Sequence, residues 1–187
     1  DSPFHNAISH VVNLILFFAG TTRTGRADPL EVEAEIYRAK PIQNYDTVRT
    51  KDLLDTGIRA GVVLSHSSAK NRDPEIRITG SRGTFLWRFS GQHLLQTRDQ
   101  RIVFEDEDQI QVRENMFESV VRRIQGDPDA LICTTEQARG EVKWSNGIQD
   151  STVLQDIPES SRRQIFSPDG EIYDVVPGVE SVASEAY

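Results

Sequence analysis

The sequence predicts an α+β fold, a predominantly antiparallel β-sheet with helices packed on one face. Three observations predict it. "LEVEAEIY" (30–37) alternates strictly, as a half-solvated strand does. A train of short strand-like runs follows it as far as residue 105. Helical periodicity brackets that train, in "SPFHNAISHVVNLILFFAG" (2–20) before it and again from residue 111 onward. Strands in one block with helices at its ends suit α+β rather than an alternating α/β order.

The elements follow in chain order. Ser2 is placed as an N-cap with Pro3 at the first helical position. Gly20 stops that helix, so helix 1 spans roughly residues 3 to 19. In the first strand Leu30, Val32, Ala34 and Ile36 share one face, and Glu31, Glu33, Glu35 and Tyr37 the other. Residues 38 to 55, with Pro41, Asn44 and "RTKD", read as a connection crossing an edge. "GIRAGVVLSHSS" places Ile58, Ala60, Val62, Leu64 and His66 together, and "PEIRITG" does the same for Ile76 and Ile78. "GSRG" (80–83) is a hairpin signal. "TFLWRF" aligns Phe85, Trp87 and Phe89, and "HLLQT" and "RIVFE" are two further short strands.

Helices then return. In "QVRENMFESVVRRIQG" Val112, Met116, Phe117, Val120, Val121 and Ile124 form one stripe, closed by Gly126. Thr134 and Gln137 form a capping-box pair ahead of a helix whose Ala138, Val142 and Ile148 face inward, although Gly140 and Gly147 weaken it. The tail from Ile157 holds one strand-like run, "EIYDVV", and ends in "ESVASEAY", expected to be loosely held. The whole reads as one α+β domain over 1–187, with 157–187 as its extended C-terminal segment.

Composition narrows the function. The chain has 187 residues, 37% apolar and 27% charged, with a net charge of −8. That balance belongs to a globular protein and argues against a nucleic-acid surface, which needs a basic patch. "SSRRQ" is too short to supply one. The single Cys133 excludes an intramolecular disulfide and a Cys-pair zinc site. The apolar run from Val11 to Ala19 is far shorter than the ~20 residues of a membrane span. A cytoplasmic location is expected. The chain starts at Asp1 without a Met, directly before a helix, and reads as a fragment of a longer protein.

Known motifs are few. No G-x-G-x-x-G follows a strand, and neither a P-loop, a G-x-S-x-G nor an H-E-x-x-H occurs. His5, His10 and His66 could in principle meet at a zinc, but no ligand spacing supports it. What remains is a polar stripe on helix 1. Asn6, His10 and Asn13 lie at i, i+4 and i+7 on an otherwise apolar helix. Unpaired burial of such groups costs about 1–3 kcal/mol each. The stripe therefore meets partners within the domain or lines a wet cavity. Spacing alone admits two roles for His10. One is a satisfied core or surface histidine. The other is a general acid/base, since an imidazole titrates near about pH 6.5. In that role Asn6 would orient the ring or hold a substrate hydroxyl. His66, Asn71 and Arg72 are further candidates for substrate contact, with packing or a solvated turn as the plainer alternative. Trp87 reads as core, and Cys133 as a small buried residue.

The stretches "SPFHNAISHVVNLILFFAG", "VEAEIYRAKPIQNYDT", "SHSSAKNRDPEIRITGSRGTF" and "FESVVRRIQG…CTTEQARGEVKWSNGIQDS", in that order, resemble the C-terminal domain of the glucose–fructose oxidoreductase / inositol dehydrogenase / MocA (Gfo/Idh/MocA) family. The resemblance runs almost end to end and implies a dihydrodipicolinate-reductase-like α+β domain. The family's site helix carries D-x-G-x-H-x-x-D. Here His10 matches the His, while Asn6 and Asn13 stand at the two Asp positions, keeping hydrogen bonds but losing charge. The resemblance implies that His10 is the acid/base for the hydroxyl undergoing hydride transfer. It implies a sugar or polyol as small-molecule substrate, and NAD or NADP as cofactor in the full-length protein. The family's N-terminal Rossmann domain, with its Gly-rich turn and Glu-Lys-Pro motif, has no counterpart here. No cofactor is therefore expected on this domain alone, which should be inactive by itself. A homo-oligomer through the open sheet face is implied, although Glu31, Glu33 and Glu35 make that face acidic. The two Asn residues keep a second expectation open, a non-catalytic ligand sensor or scaffold on the same fold.

Overall fold

The computed structural model describes residues 2–6, 8–105, 108–166 and 170–181. In chain order the elements are α1 (Ser9–Phe18), β1 (Pro29–Arg38), β2 (Thr47–Leu54), β3 (Arg59–Ser65), β4 (Glu75–Gly80), β5 (Gly83–Arg88), β6 (His93–Thr97) and β7 (Arg101–Phe104). They continue with α2 (Gln109–Ile124), α3 (Thr135–Ser151), β8 (Gln155–Asp156), β9 (Arg163–Phe166) and β10 (Ile172–Val175), with a short 3₁₀ turn at Glu159–Ser161. The α+β expectation holds. The chain forms two compact units, one from residues 1–71 and 134–187, the other from residues 72–133.

The first unit is built on a sheet of order β3-β2-β1-β8, antiparallel except for the parallel β1–β8 pair. Its inward rows are Ile36–Val48–Leu64, Ala34–Thr50–Val62 and Val32–Asp52–Ala60. Against that face lie Val12 and Leu16 of α1 and Trp144 and Ile148 of α3, in one continuous core. The opposite face carries Glu35 beside Arg49 at 3.7 Å, and Glu33 paired across the strands with Lys51. The Glu face is thus interleaved with bases rather than uniformly acidic.

Several expectations need correction here. Residues 38–55 are not only a connection, because β2 is the sheet's inner strand. Its inward face carries Thr50 and Asp52 between Val48 and Leu54, and Thr47 is buried on the other face, which hides the period-2 pattern. Leu30 is 64% exposed because the β1–β2 register slips between Pro29 and Glu31. Ile58 is exposed because it belongs to the turn before β3. On α3, Ala138 and Val142 point outward, and Gly140, Trp144, Ser145 and Ile148 face in. The inner stripe follows the glycines, which let the helix lie close against its neighbours. A Cβ at Gly147 would meet Val32, and one at Gly140 would meet Leu16 and Asp28. The capping box holds, with Thr134 N to Gln137 Oε1 at 2.9 Å and Gln137 N to Thr134 Oγ1 at 3.3 Å.

The second unit is a meander of order β4-β5-β6-β7 followed by α2. The Gly80–Gly83 hairpin is as expected, and a Cβ on Gly83 would collide with the Gln96 carbonyl. Phe85 packs edge-on to Phe104 at 6.4 Å. Trp87 is half-buried rather than core, with His93 stacked on it at 6.1 Å; Phe89 lies past the end of β5, exposed. Asp108 caps α2 through a 2.7 Å bond from Ile110 N, and Gly126 (φ +94°) ends it. The apolar stripe of α2 forms but is not buried: Phe117 is 66% and Ile124 81% exposed. Periodicity identified the helix and not its burial.

In the tail, β9 and β10 pair as a hairpin. The Glu180 carboxylate accepts hydrogen bonds from Ser68 Oγ at 2.8 Å and Ala69 N at 3.1 Å, tying the tail to the segment after β3. Residues 182–187 of the expected loose end lie outside the described residues.

Candidate functional site

The site begins in the turn ahead of α1. Regular helix starts at Ser9 rather than at Pro3. Ser2 caps only the turn, accepting His5 N at both its Oγ and its carbonyl at 3.3 Å. Pro3 and Phe4 are buried, and the Phe4 ring meets Trp144 of α3 edge-on at 5.5 Å and 73°. That packing, rather than helix propensity, places residues 2–6.

His5 follows the same path to α3. Its Nε2 shares a 3.0 Å hydrogen bond with Ser145 Oγ. Its Nδ1 lies 3.5 Å from Glu141 Oε1, an ion-pair distance longer than a hydrogen bond. The Tyr45 hydroxyl sits beside Ser2 and Ser145, short of hydrogen-bonding geometry, and burial pushes its phenol up. The order Ser145–His5–Glu141 resembles a nucleophile relay. Ser145 is fully buried in mid-helix, however, where a substrate carbonyl has no access and the backbone N–H groups are committed to the helix. The arrangement ties two segments together. Sequence reasoning placed His5 only in a conceivable zinc set. Its partners lie about 140 positions away, and no local pattern announces them.

The expected i, i+4, i+7 stripe is therefore broken at its first member. Asn6 sits in the turn, exposed, with its N–H bonded to Ser2 O at 3.2 Å and its carbonyl accepting Ser9 Oγ at 3.1 Å. His10 lies in the first turn of α1 with its side chain exposed. Asn13 follows three residues on, half-buried, with its Oδ1 covered. An accessible imidazole can accept a hydrogen bond from a hydroxyl and exchange a proton with it.

The other expected residues are dispersed. His66 is exposed just beyond β3, not on the strand's buried face; its N–H donates to Asp46 O at 2.8 Å. Partial desolvation and then the Lys40 charge lower its pKa, with Asp46 opposing, so its imidazole is neutral at pH 7. Asp46 itself is buried and accepts Ala39 N at 2.7 Å and Lys40 N at 2.8 Å, which shapes the loop. Asn71 closes the first unit's leading segment and Arg72 opens the second unit; both are exposed. Cys133, expected to be buried, is exposed. A depression of about 420 Å³ between α3 and β1, lined by Leu30, Val32, Lys143, Gly147 and Asp150, contains none of the expected site residues.

Among the described residues, no group of three or more His, Cys, Asp or Glu could hold a metal ion, and no helix is long and apolar enough to cross a membrane. A nicotinamide dinucleotide is commonly held by a Gly-rich turn leading from a strand into a helix; among the described residues α1, α2 and α3 begin instead after Ile8, Asp108 and Thr134.

No protein-family profile and no curated protein matches the sequence. Solved structures do match. UDP-N-acetylglucosamine 3-dehydrogenase GnnA from Acidithiobacillus ferrooxidans aligns with 80% of this chain at 14% identity and a TM-score of 0.64, using 47% of its own length. The WlbA dehydrogenase from Bordetella pertussis, solved with NADH and UDP-GlcNAcA, aligns with 80% at 17% identity and a TM-score of 0.54, over 44% of its length. A 3-ketoreductase from Actinomadura kijaniata, solved with NADP and TDP-benzene, aligns with 81% at 14% identity and a TM-score of 0.57, over 49% of its length. The fold is that of the C-terminal domain of Gfo/Idh/MocA-type oxidoreductases. The chain spans less than half the length of each of these three proteins. On this Gfo/Idh/MocA-type fold, α1 and α3 cover one face of the first unit's sheet, with His10 on the exposed side of α1.

Proposed function

We propose that this chain is the substrate-side domain of an NAD(P)-dependent oxidoreductase acting on a hydroxyl of a sugar, polyol or sugar nucleotide. The observation that carries the reading is the accessible His10 on the first turn of α1, in a fold shared with dehydrogenases of UDP-sugars. NAD or NADP would be held by a separate Rossmann domain, a reading supported by the lack of a Gly-rich strand-to-helix turn before α1, α2 or α3. This chain's own share is to bind the sugar and move a proton. Asn6 and Asn13, at the positions of the family's two acids, hold hydroxyls by neutral hydrogen bonds. The imidazole of His10 would take the proton from the hydroxyl oxygen on the carbon whose hydride NAD(P) accepts, and return it in the reverse direction. Assembly through the open face of the first sheet and a cytoplasmic location belong to the same proposal. The alternating Glu35–Arg49 and Glu33–Lys51 pairs support a self-complementary face.

The test is the nicotinamide absorbance change of the full-length gene product against UDP-sugars, sugars and polyols, with His10→Ala alongside. Wild-type turnover reduced by about 10²–10⁴-fold in the variant is expected. Turnover unchanged in the variant removes His10 from the chemistry. Amides in place of both acids favour one second reading, a non-catalytic sensor or scaffold. Cofactor bound without turnover on any compound would select it.

A further inference from the structure

We propose that His5, held between Ser145 and Glu141, is the positioning residue that sets Asn6 and the entry to α1 for the sugar. This inference rests on the dehydrogenase reading above. Among the described residues, the backbone bonds of the turn that carries Asn6 are long. Its bonds His5 N–Ser2 O, Asn6 N–Ser2 O and Ile8 N–Pro3 O measure 3.3, 3.2 and 3.3 Å, at the weak end of the range. Side chains add to the placement that those bonds give. Two do so, and both reach α3: Phe4 onto Trp144, and His5 onto Ser145 and Glu141. Neighbouring side chains then diverge, with His5 directed to the helix and Asn6 to solvent.

The polar half of this tie is costly if its only purpose is stability. Ser145 is fully buried and the Glu141 carboxylate largely so, and apolar packing there would stabilise at least as well. What the imidazole adds over another Phe is direction. One nitrogen hydrogen-bonds Ser145 Oγ at 3.0 Å while the other faces the Glu141 carboxylate at 3.5 Å, so the ring has a preferred orientation as well as a place. A displacement of the order of 1 Å in a binding group is enough to cost about 10²-fold.

The experiment compares KM and kcat of the full-length enzyme for its best sugar substrate in wild type, His5→Ala, His5→Gln and Ser145→Ala. His5→Ala is expected to raise KM about 10-fold or more while kcat stays within about 2-fold, because Asn6 binds and His10 sits on regular helix. His5→Gln keeps a hydrogen-bonding group near the Nε2 position and is expected to recover most of the loss. Should His5→Ala fail to fold, Ser145→Ala removes one tie and leaves Glu141; a KM raised about 3-fold is expected. A lower Tm with KM unchanged makes His5 merely structural and overturns the proposal, as does a Gln variant no better than Ala. A wild-type enzyme that turns over no sugar fails the dehydrogenase reading itself, and that result appears before any variant is made.

Discussion

Gly147 on α3 lies so close to Val32 on β1 that a Cβ built on it would stand 2.9 Å from Val32 Cγ2 and 3.2 Å from its Cβ. Two effects compete when that glycine becomes alanine. Helix propensity gains about 1 kcal/mol. Overpacking against a stiff β-branched side chain costs about 1–3 kcal/mol. Gly147→Ala is expected to destabilise by about 1 kcal/mol net, read by urea denaturation. Gly140→Ala should cost less, because it meets the mobile ends of Asp28 and Leu16. A stabilised Gly147→Ala would show that α3 has room to lift.

Asp52 faces the core between Val32 and Ala60, bonded to Thr50 and approached by the Trp144 indole. Burial pushes its carboxyl from 3.8 up to about 6. The fold therefore favours the protonated acid. Between about pH 4 and pH 6 the folded chain binds more protons than the unfolded one, so stability falls as pH rises and levels off above that window. The loss is about 3 kcal/mol. Asp52→Asn should be more stable than wild type at pH 7 by about that amount and should lose the slope. Parallel pH profiles for the two chains would disprove it.

The capping box of α3 predicts a smaller effect. Thr134→Ala removes the acceptor for Gln137 N and should cost about 1 kcal/mol. Gln137 also donates to Thr24 O beyond the helix, so Gln137→Ala is expected to cost at least as much. Thermal melts of both variants check this order.

The exposed stripe of α2 predicts the absence of an effect. Phe117→Lys in this chain should shift stability by less than about 0.5 kcal/mol, since the ring is in water. A loss above about 2 kcal/mol in chemical denaturation would mean that the ring is covered after all.

Legibility in the sequence followed the physics of each residue. β1 was plain because its outward positions, Glu31, Glu33 and Glu35, are charged and the inward Val32, Ala34 and Ile36 apolar. β2 was hidden because Thr50 and Asp52 point into the core, bonded to each other, and a pattern search reads such polar residues as exposed. On α3 the stripe was misphased because glycine carries no hydropathy signal, yet Gly140 and Gly147 are where the helix comes closest to its neighbours. His10 was marked by its spacing from Asn6 and Asn13, even though the turn at residues 2–6 breaks the helix that the spacing assumed. His5 could not be found that way, because its partners arrive from the far end of the chain.

The two units differ in how far along the chain their partners lie, and that sets an order of events. Every strand from β4 to β7 pairs with its immediate neighbour in sequence, so this meander can zip from one hairpin to the next. The first unit must instead bring α3 back across the whole intervening segment to meet β1 and the N-terminal turn. Closing that loop is entropically easier once the meander has already condensed it. The β1–β2–β3 strands of the first unit pair as locally as β4–β7 do, so docking of α3 across the long intervening segment is the non-local step in the topology.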